Sequence, residues 1–177
     1  MLTPTRIDTF LSIMTQQSPE EWESVRMPEG YWAVKFKKSY PPFVFLIEFN
    51  QDMLYVQYIF KDVRVHYSSW QALYRTLLRL NEELTLVKFG LTAHENIALM
   101  GELPADQFSL DAFQNLLRLM VQYLQDLYWE IELVAQTDSL AVLLTAGEAS
   151  RAFVDKMTRG MIKTMKTEKI AVKIQQH

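Results

Sequence analysis

The chain of 177 residues contains no cysteine, which excludes disulfides, thiolate metal sites and a cysteine nucleophile. Histidine is nearly as scarce. His66, His94 and His177 are the only three, and they form no H-x-x-x-H or H-E-x-x-H metal motif. The five glycines, at positions 30, 90, 101, 147 and 160, write neither a G-x-G-x-x-G turn nor a phosphate loop. No serine sits in a G-x-S-x-G elbow. The densest apolar runs, Phe43–Ile47 and Leu140–Leu144, fall far below the ~20 residues that cross a bilayer. Met1–Gln16 carries Pro4, Arg6 and Asp8 where a secretory signal needs an unbroken apolar core. The expectation is a cytoplasmic protein with no stable membrane insertion, no cofactor, no metal and no catalytic residue.

What is present describes a packed domain. Hydrophobic residues make up 49% and charged residues 22%, ordinary values for a single globular unit. The charge is divided unevenly. Residues 1–150 hold 11 Lys and Arg against 19 Asp and Glu, a net −8, while residues 151–177 hold 7 against 2, a net +5. An acidic body lacks the phosphate-neutralising surface that duplex nucleic acid requires, so no nucleic-acid partner is expected.

Periodicity divides the chain into elements. Ile7, Phe10, Leu11 and Met14 recur at helical spacing over Thr5–Thr15, with Thr3 before Pro4, or Thr5 with Asp8 three residues on, as the cap. Gln16–Glu29, with Pro19, Pro28 and four acids, reads as a polar connection anchored by Trp22. The period then becomes two. Tyr31–Lys37, Phe43–Phe49 and Met53–Phe60 alternate as strands, and their short connections imply an antiparallel three-strand meander. Ser68 with Gln71 resembles a capping box before a helix to about Asn81, whose apolar face carries Trp70, Leu73, Tyr74, Leu77 and Leu78. Leu84–Leu91 and Asn96–Leu103 form a second hairpin around Thr92–Glu95. Ser109 and Asp111 open the longest helix, to about Ala135, with an i, i+3, i+4 stripe from Phe113 to Val134. At 1.5 Å per residue it is roughly 40 Å long, about twice the ~20 Å of a six-residue strand. Part of the stripe is therefore expected to be spare for a second subunit. A last amphipathic helix is expected from Glu148 to about Lys166, and Lys169–Gln175 alternates Ile170, Val172 and Ile174 with polar residues, as an edge strand or a loose tail.

The fold class is α+β: helices on one side of an antiparallel sheet, in the order α-βββ-α-ββ-α plus a C-terminal helix. That order, with the stretches Leu80–Leu91, Asn96–Pro104 and Phe108–Phe113, resembles the YbjN-like family, described as bacterial sensory transduction regulators. The element order is also similar to the type III secretion chaperones. The resemblance covers about residues 5–135, within a domain of residues 1–135, and leaves 136–177 as a C-terminal extension. It implies a dimeric, protein-binding module with no catalytic residues to carry over.

Each candidate site has a plainer role. His66 and His94 read as exposed turn histidines, Glu82-Glu83 and the pair Asp126 and Glu130 as solvated helix faces, and Ser68, Ser69 and Ser109 as helix caps. Tyr31, Tyr40, Phe43, Tyr55 and Tyr58 lie near Lys35, Lys37 and Lys38. That mixture is compatible with single-stranded nucleic acid, but the spacing fits a sheet packed on a helix. Partner-binding is assigned to Met120, Leu124, Tyr128 and Ile131 on the long helix, and to Met157, Met161 and Met165 in one row of the last. Methionine adapts to varied binding partners. The resulting expectation is a non-enzymatic protein-binding module, chaperone-like or regulatory, acting as a homodimer with an unknown protein or peptide partner. The alternatives are a small enzyme with a Glu/Asp–His site, and a peripheral membrane or nucleic-acid adaptor working through the basic helix.

Overall fold

The computed structural model describes residues 2–50, 52–61 and 63–136. Helix α1 (Pro4–Gln17) begins where Thr3 Oγ1 accepts the Arg6 N–H at 3.3 Å, with Pro4 in its first turn. Strands β1 (Trp22–Arg26), β2 (Trp32–Phe36), β3 (Phe43–Asn50) and β4 (Met53–Ile59) follow, then helix α2 (Trp70–Glu83), strands β5 (Val87–Leu91) and β6 (Ile97–Pro104), and helix α3 (Leu110–Gln136). All strand pairs are antiparallel, in the order β1-β2-β3-β4-β6-β5.

The meander has four strands where the alternation pointed to three. The segment read as a polar connection contains β1, which buries only Trp22. One buried side chain leaves almost no period-two signal. What builds the strand is the Pro28-Glu29-Gly30 loop between β1 and β2. Met27 N–H donates to Tyr31 C=O (2.8 Å), Gly30 N–H donates to Met27 C=O (3.0 Å), and Gly30 adopts φ 93°. This is a three-residue hairpin with glycine in the left-handed position.

One face of the sheet is the core. The paired row Val34, Phe45, Tyr58, Leu99 and Phe89 runs across five strands and is buried throughout. The opposite face carries Val25, Val44 and Tyr55 exposed to solvent. Helix α3 crosses the core face closely: a Cβ at Gly101 would lie 2.9 Å from Leu116 Cδ1.

The expected surplus along α3 is covered from within the chain. Met120, Leu124, Tyr128 and Ile131 are all enclosed. The connection after β4 folds over the end of α3, where His66 N–H donates to Ala135 C=O at 2.8 Å, and Phe60 stacks on Tyr128 at 5.5 Å. Strand length therefore underestimated how much of the helix one copy can cover.

Helix α2 is also rotated from its expected face. Ala72, Leu73, Thr76, Leu77 and Leu80 point inward, leaving Tyr74 and Leu78 outside. It follows a 3₁₀ turn at Tyr67–Ser69 with no side-chain cap bond, and Ser68 Oγ instead lies 2.8 Å from His66 Nδ1. Ser109 caps α3 as its sequence suggested, accepting the Ala112 N–H at 3.1 Å. At the β5 edge, Asn81 acts as a substitute strand. Its Nδ2 donates to Phe89 C=O (2.9 Å) and its Oδ1 accepts Phe89 N–H (2.7 Å).

Candidate partner-binding cleft

The outward stripe of α3 changes character along its length. Arg118, Gln122 and Gln125 are polar and exposed, but the same stripe ends in Trp129 (59% exposed) and Leu133 (61%). Two large apolar side chains one turn apart on a solvent face bury little in a single copy. They cost hydration rather than stabilising the fold.

Beside them lies the loop between β2 and β3. Ser39 Oγ accepts the Phe43 N–H at 3.2 Å and fixes the loop, while Tyr40 stands 91% exposed before a cis Tyr40–Pro41 bond. Lys37 Nζ donates to Pro19 C=O, and Lys38 pairs loosely with Glu20 (3.7 Å) and Glu21 (3.9 Å). Exposed pairs of this length are worth at most about 1 kcal/mol each. Together they tie the loop to the start of β1.

Between loop and helix is a cleft of about 220 Å³, lined by Lys38, Ser39, Tyr40, Phe43, Leu124, Gln125, Tyr128 and Trp129. Its floor is part of the aromatic core. Tyr128 lies 6.2 Å from Phe43 and 5.2 Å from Trp129, and Phe43 meets Tyr58 edge-on at 5.4 Å. The floor is therefore rigid, while Tyr40 and Trp129 form open walls. A second depression, near Met14, Trp22 and Arg118, holds only about 50 Å³, room for little more than water.

Of the residues assigned to partner-binding, Leu124 and Tyr128 reach this cleft, from its floor. Met120 and Ile131 lie buried elsewhere in the core, and Met157, Met161 and Met165 fall outside the described residues. The sequence pattern places Tyr40 and Phe43 only among the aromatic residues of a sheet. Trp129 and Leu133 were missed because a search for an apolar stripe passes over the polar side of the helix. Their signal was two large apolar residues at i, i+4 among Gln and Glu.

The other candidates are separated. His66 and His94 are exposed in different turns, and Glu82 and Glu83 are exposed at the end of α2. Among the described residues no group of three or more His, Asp or Glu gathers as metal ligands, and no helix is long and apolar enough to cross a membrane.

No family model matches the chain, and no curated protein does. Among solved structures, a chain of the crystal structure of the ExsC–ExsE complex is similar, with a TM-score of 0.43 at 13% identity, over 70% of this chain and 91% of that one.

Proposed function

We propose that this chain is a non-enzymatic protein-binding module that holds a partner polypeptide by seating one large aromatic or aliphatic side chain in the Tyr40–Trp129 cleft. The observation that carries the reading is the size and lining of that cleft. At about 220 Å³ it falls below the ~300–1,000 Å³ of pockets that enclose small molecules, but suits a single side chain. Aromatic walls over a packed floor are the composition of interface hot spots.

The role is chaperone-like or regulatory, in keeping with the YbjN-like pattern of residues 80–113. The working form is a homodimer. With the inner stripe of α3 enclosed, the surface available for a second copy is the outer side of α2. There Tyr74 and Leu78 are exposed and Tyr74 packs against Trp70 at 5.3 Å.

Selection from a displayed library of random peptides tests the main reading. Enrichment of sequences with a central aromatic or leucine anchor, captured by the native chain and lost with Trp129→Ala, is expected. Enrichment that survives Trp129→Ala and Tyr40→Ala together would remove the cleft from consideration. Sedimentation across a concentration series tests the dimer, and a monomer at every concentration would exclude it.

A further inference from the structure

Strand β1 is the one edge of the sheet that nothing in the described chain closes. Lys37 N–H donates to Glu21 C=O (2.9 Å) and Met27 N–H to Tyr31 C=O (2.8 Å). With the observed register, Glu21, Glu23, Val25 and Met27 turn their backbone groups towards β2, while Trp22, Ser24 and Arg26 turn theirs to the free side. Trp22 N–H is taken by Ser18 C=O at 3.0 Å. Among the described residues, nothing bonds the N–H or C=O groups of Ser24 and Arg26. A row of open donors and acceptors beside a packed sheet is a template for one more strand.

We propose that the chain's own segment 169–175 adds to this edge as a seventh strand. Three observations converge on that occupant. The first is period: Ile170, Val172 and Ile174 fall on one face of an extended segment, with Lys169, the small Ala171, Lys173 and Gln175 on the other, the pattern of a strand with one covered face. The second is charge. Glu20, Glu21 and Glu23 cluster at the start of β1, and Glu23 has no ion pair among the described residues. Lys169 and Lys173 bring opposite charge at strand spacing. On a larger scale, residues 1–136 hold 11 Lys and Arg against 17 Asp and Glu, and residues 151–177 carry +5.

The third observation is reach. Helix α3 ends at Gln136, and 32 residues separate it from Lys169. Even with a helix over 148–166 at 1.5 Å per residue, ~28 Å long, the remaining residues add several tens of ångströms at ~3.3 Å each. The distance across the sheet from β4 to β1 is three strand spacings, about 15 Å. The tether is ample.

Amide hydrogen exchange of the full chain, read residue by residue by NMR, tests the proposal. Ser24 and Arg26 amides are expected to exchange about 100-fold more slowly in the native chain than in Ala171→Pro or Val172→Pro, and independently of protein concentration. Whichever way the added strand faces, one of these two prolines removes a donor from its ladder. Ser24→Pro is the reciprocal variant. The Ser24 N–H is not part of the β1–β2 ladder, so the fold is kept while protection at 170–174 is lost. Rapid exchange of Ser24 and Arg26 in the native chain overturns the proposal. Protection that rises with concentration also overturns it, placing a second copy at the edge. None of these readouts involves the Tyr40–Trp129 cleft, so this inference and the proposed function fail separately.

Discussion

The two edge strands of the same sheet are finished in opposite ways. Strand β5 turns the backbone groups of Phe89 away from β6 while its side chain stays in the core, and the side-chain amide of Asn81 bonds both of those groups. Lys88 Nζ also donates to the Asn81 and Leu84 carbonyls at 2.6 Å each, covering the end of α2. Strand β1, of the same length, leaves the backbone groups of Ser24 and Arg26 unbonded among the described residues. The difference does not come from weaker anchoring. Asp8 on α1 accepts from Trp32 Nε1 at 2.6 Å and from Arg26 Nη1 at 2.9 Å, clamping the β1–β2 hairpin to α1. Unsatisfied edges are ordinarily a hazard that proteins suppress. Among the described residues, one edge is closed by a dedicated side chain, while the other is anchored to α1 and left unpaired. The cleft lies on that same side, its Lys38 reaching Glu20 and Glu21 just before β1.

The comparison can be broken at its anchor first. Trp32→Ala removes a fully buried ring next to the open edge and leaves Asp8 short of its indole donor. A loss of about 3–5 kcal/mol is expected in urea unfolding; a loss below about 1 kcal/mol would mean that the open side is loosely held after all. Next in size is Asn81→Ala, which strips Phe89 of both its side-chain partners. It should cost about 1–3 kcal/mol, speed exchange at the Phe89 amide and increase self-association measured by light scattering. Stability and exchange equal to the native chain would remove the idea of a closed edge.

Two smaller effects sharpen the contrast. Ser24→Pro, at a position whose N–H the β1–β2 ladder does not use, should change stability by less than about 1 kcal/mol by thermal unfolding. A cooperative loss of several kcal/mol would show that Ser24 N–H is engaged in the β1–β2 ladder. Trp129→Ala should be nearly silent in stability, within about 0.5 kcal/mol, because its ring is mostly in solvent. A large destabilisation would return Trp129 to the core and empty the cleft of its proposed role.

The sequence made the layers of this fold readable wherever one face of an element was greasy and the other was not. Strands β2 to β4 and the β5–β6 hairpin stand out because burial writes a period into them, and Ser109 stands out by its capping chemistry, while the sequence leaves the first helix a choice between Thr3 and Thr5 that the structure resolves for Thr3. Strand β1 does not stand out, since it buries Trp22 alone, and the clue lies in the Pro28-Glu29-Gly30 loop rather than in alternation. Helix α2 was seen but turned wrongly. Tyr74 and Leu78 look like core residues by type, while the inward positions include Ala72 and Thr76. The cleft was the least legible feature, because it joins Tyr40 to Trp129 across 89 positions of chain and rests on side chains that depart from the local pattern. Periodicity finds what is buried; exposed apolar residues with a purpose are exceptions to it.

The most direct measurement is the affinity of one selected anchor peptide for three proteins: the native chain, Trp129→Ala, and Tyr55→Ala as a control on the exposed face of the sheet. Binding should weaken at least about tenfold in Trp129→Ala and stay unchanged in Tyr55→Ala. Unchanged affinity in Trp129→Ala, with the loss appearing in Tyr55→Ala, would contradict the assignment of the partner to the cleft and move it to the exposed face of the sheet.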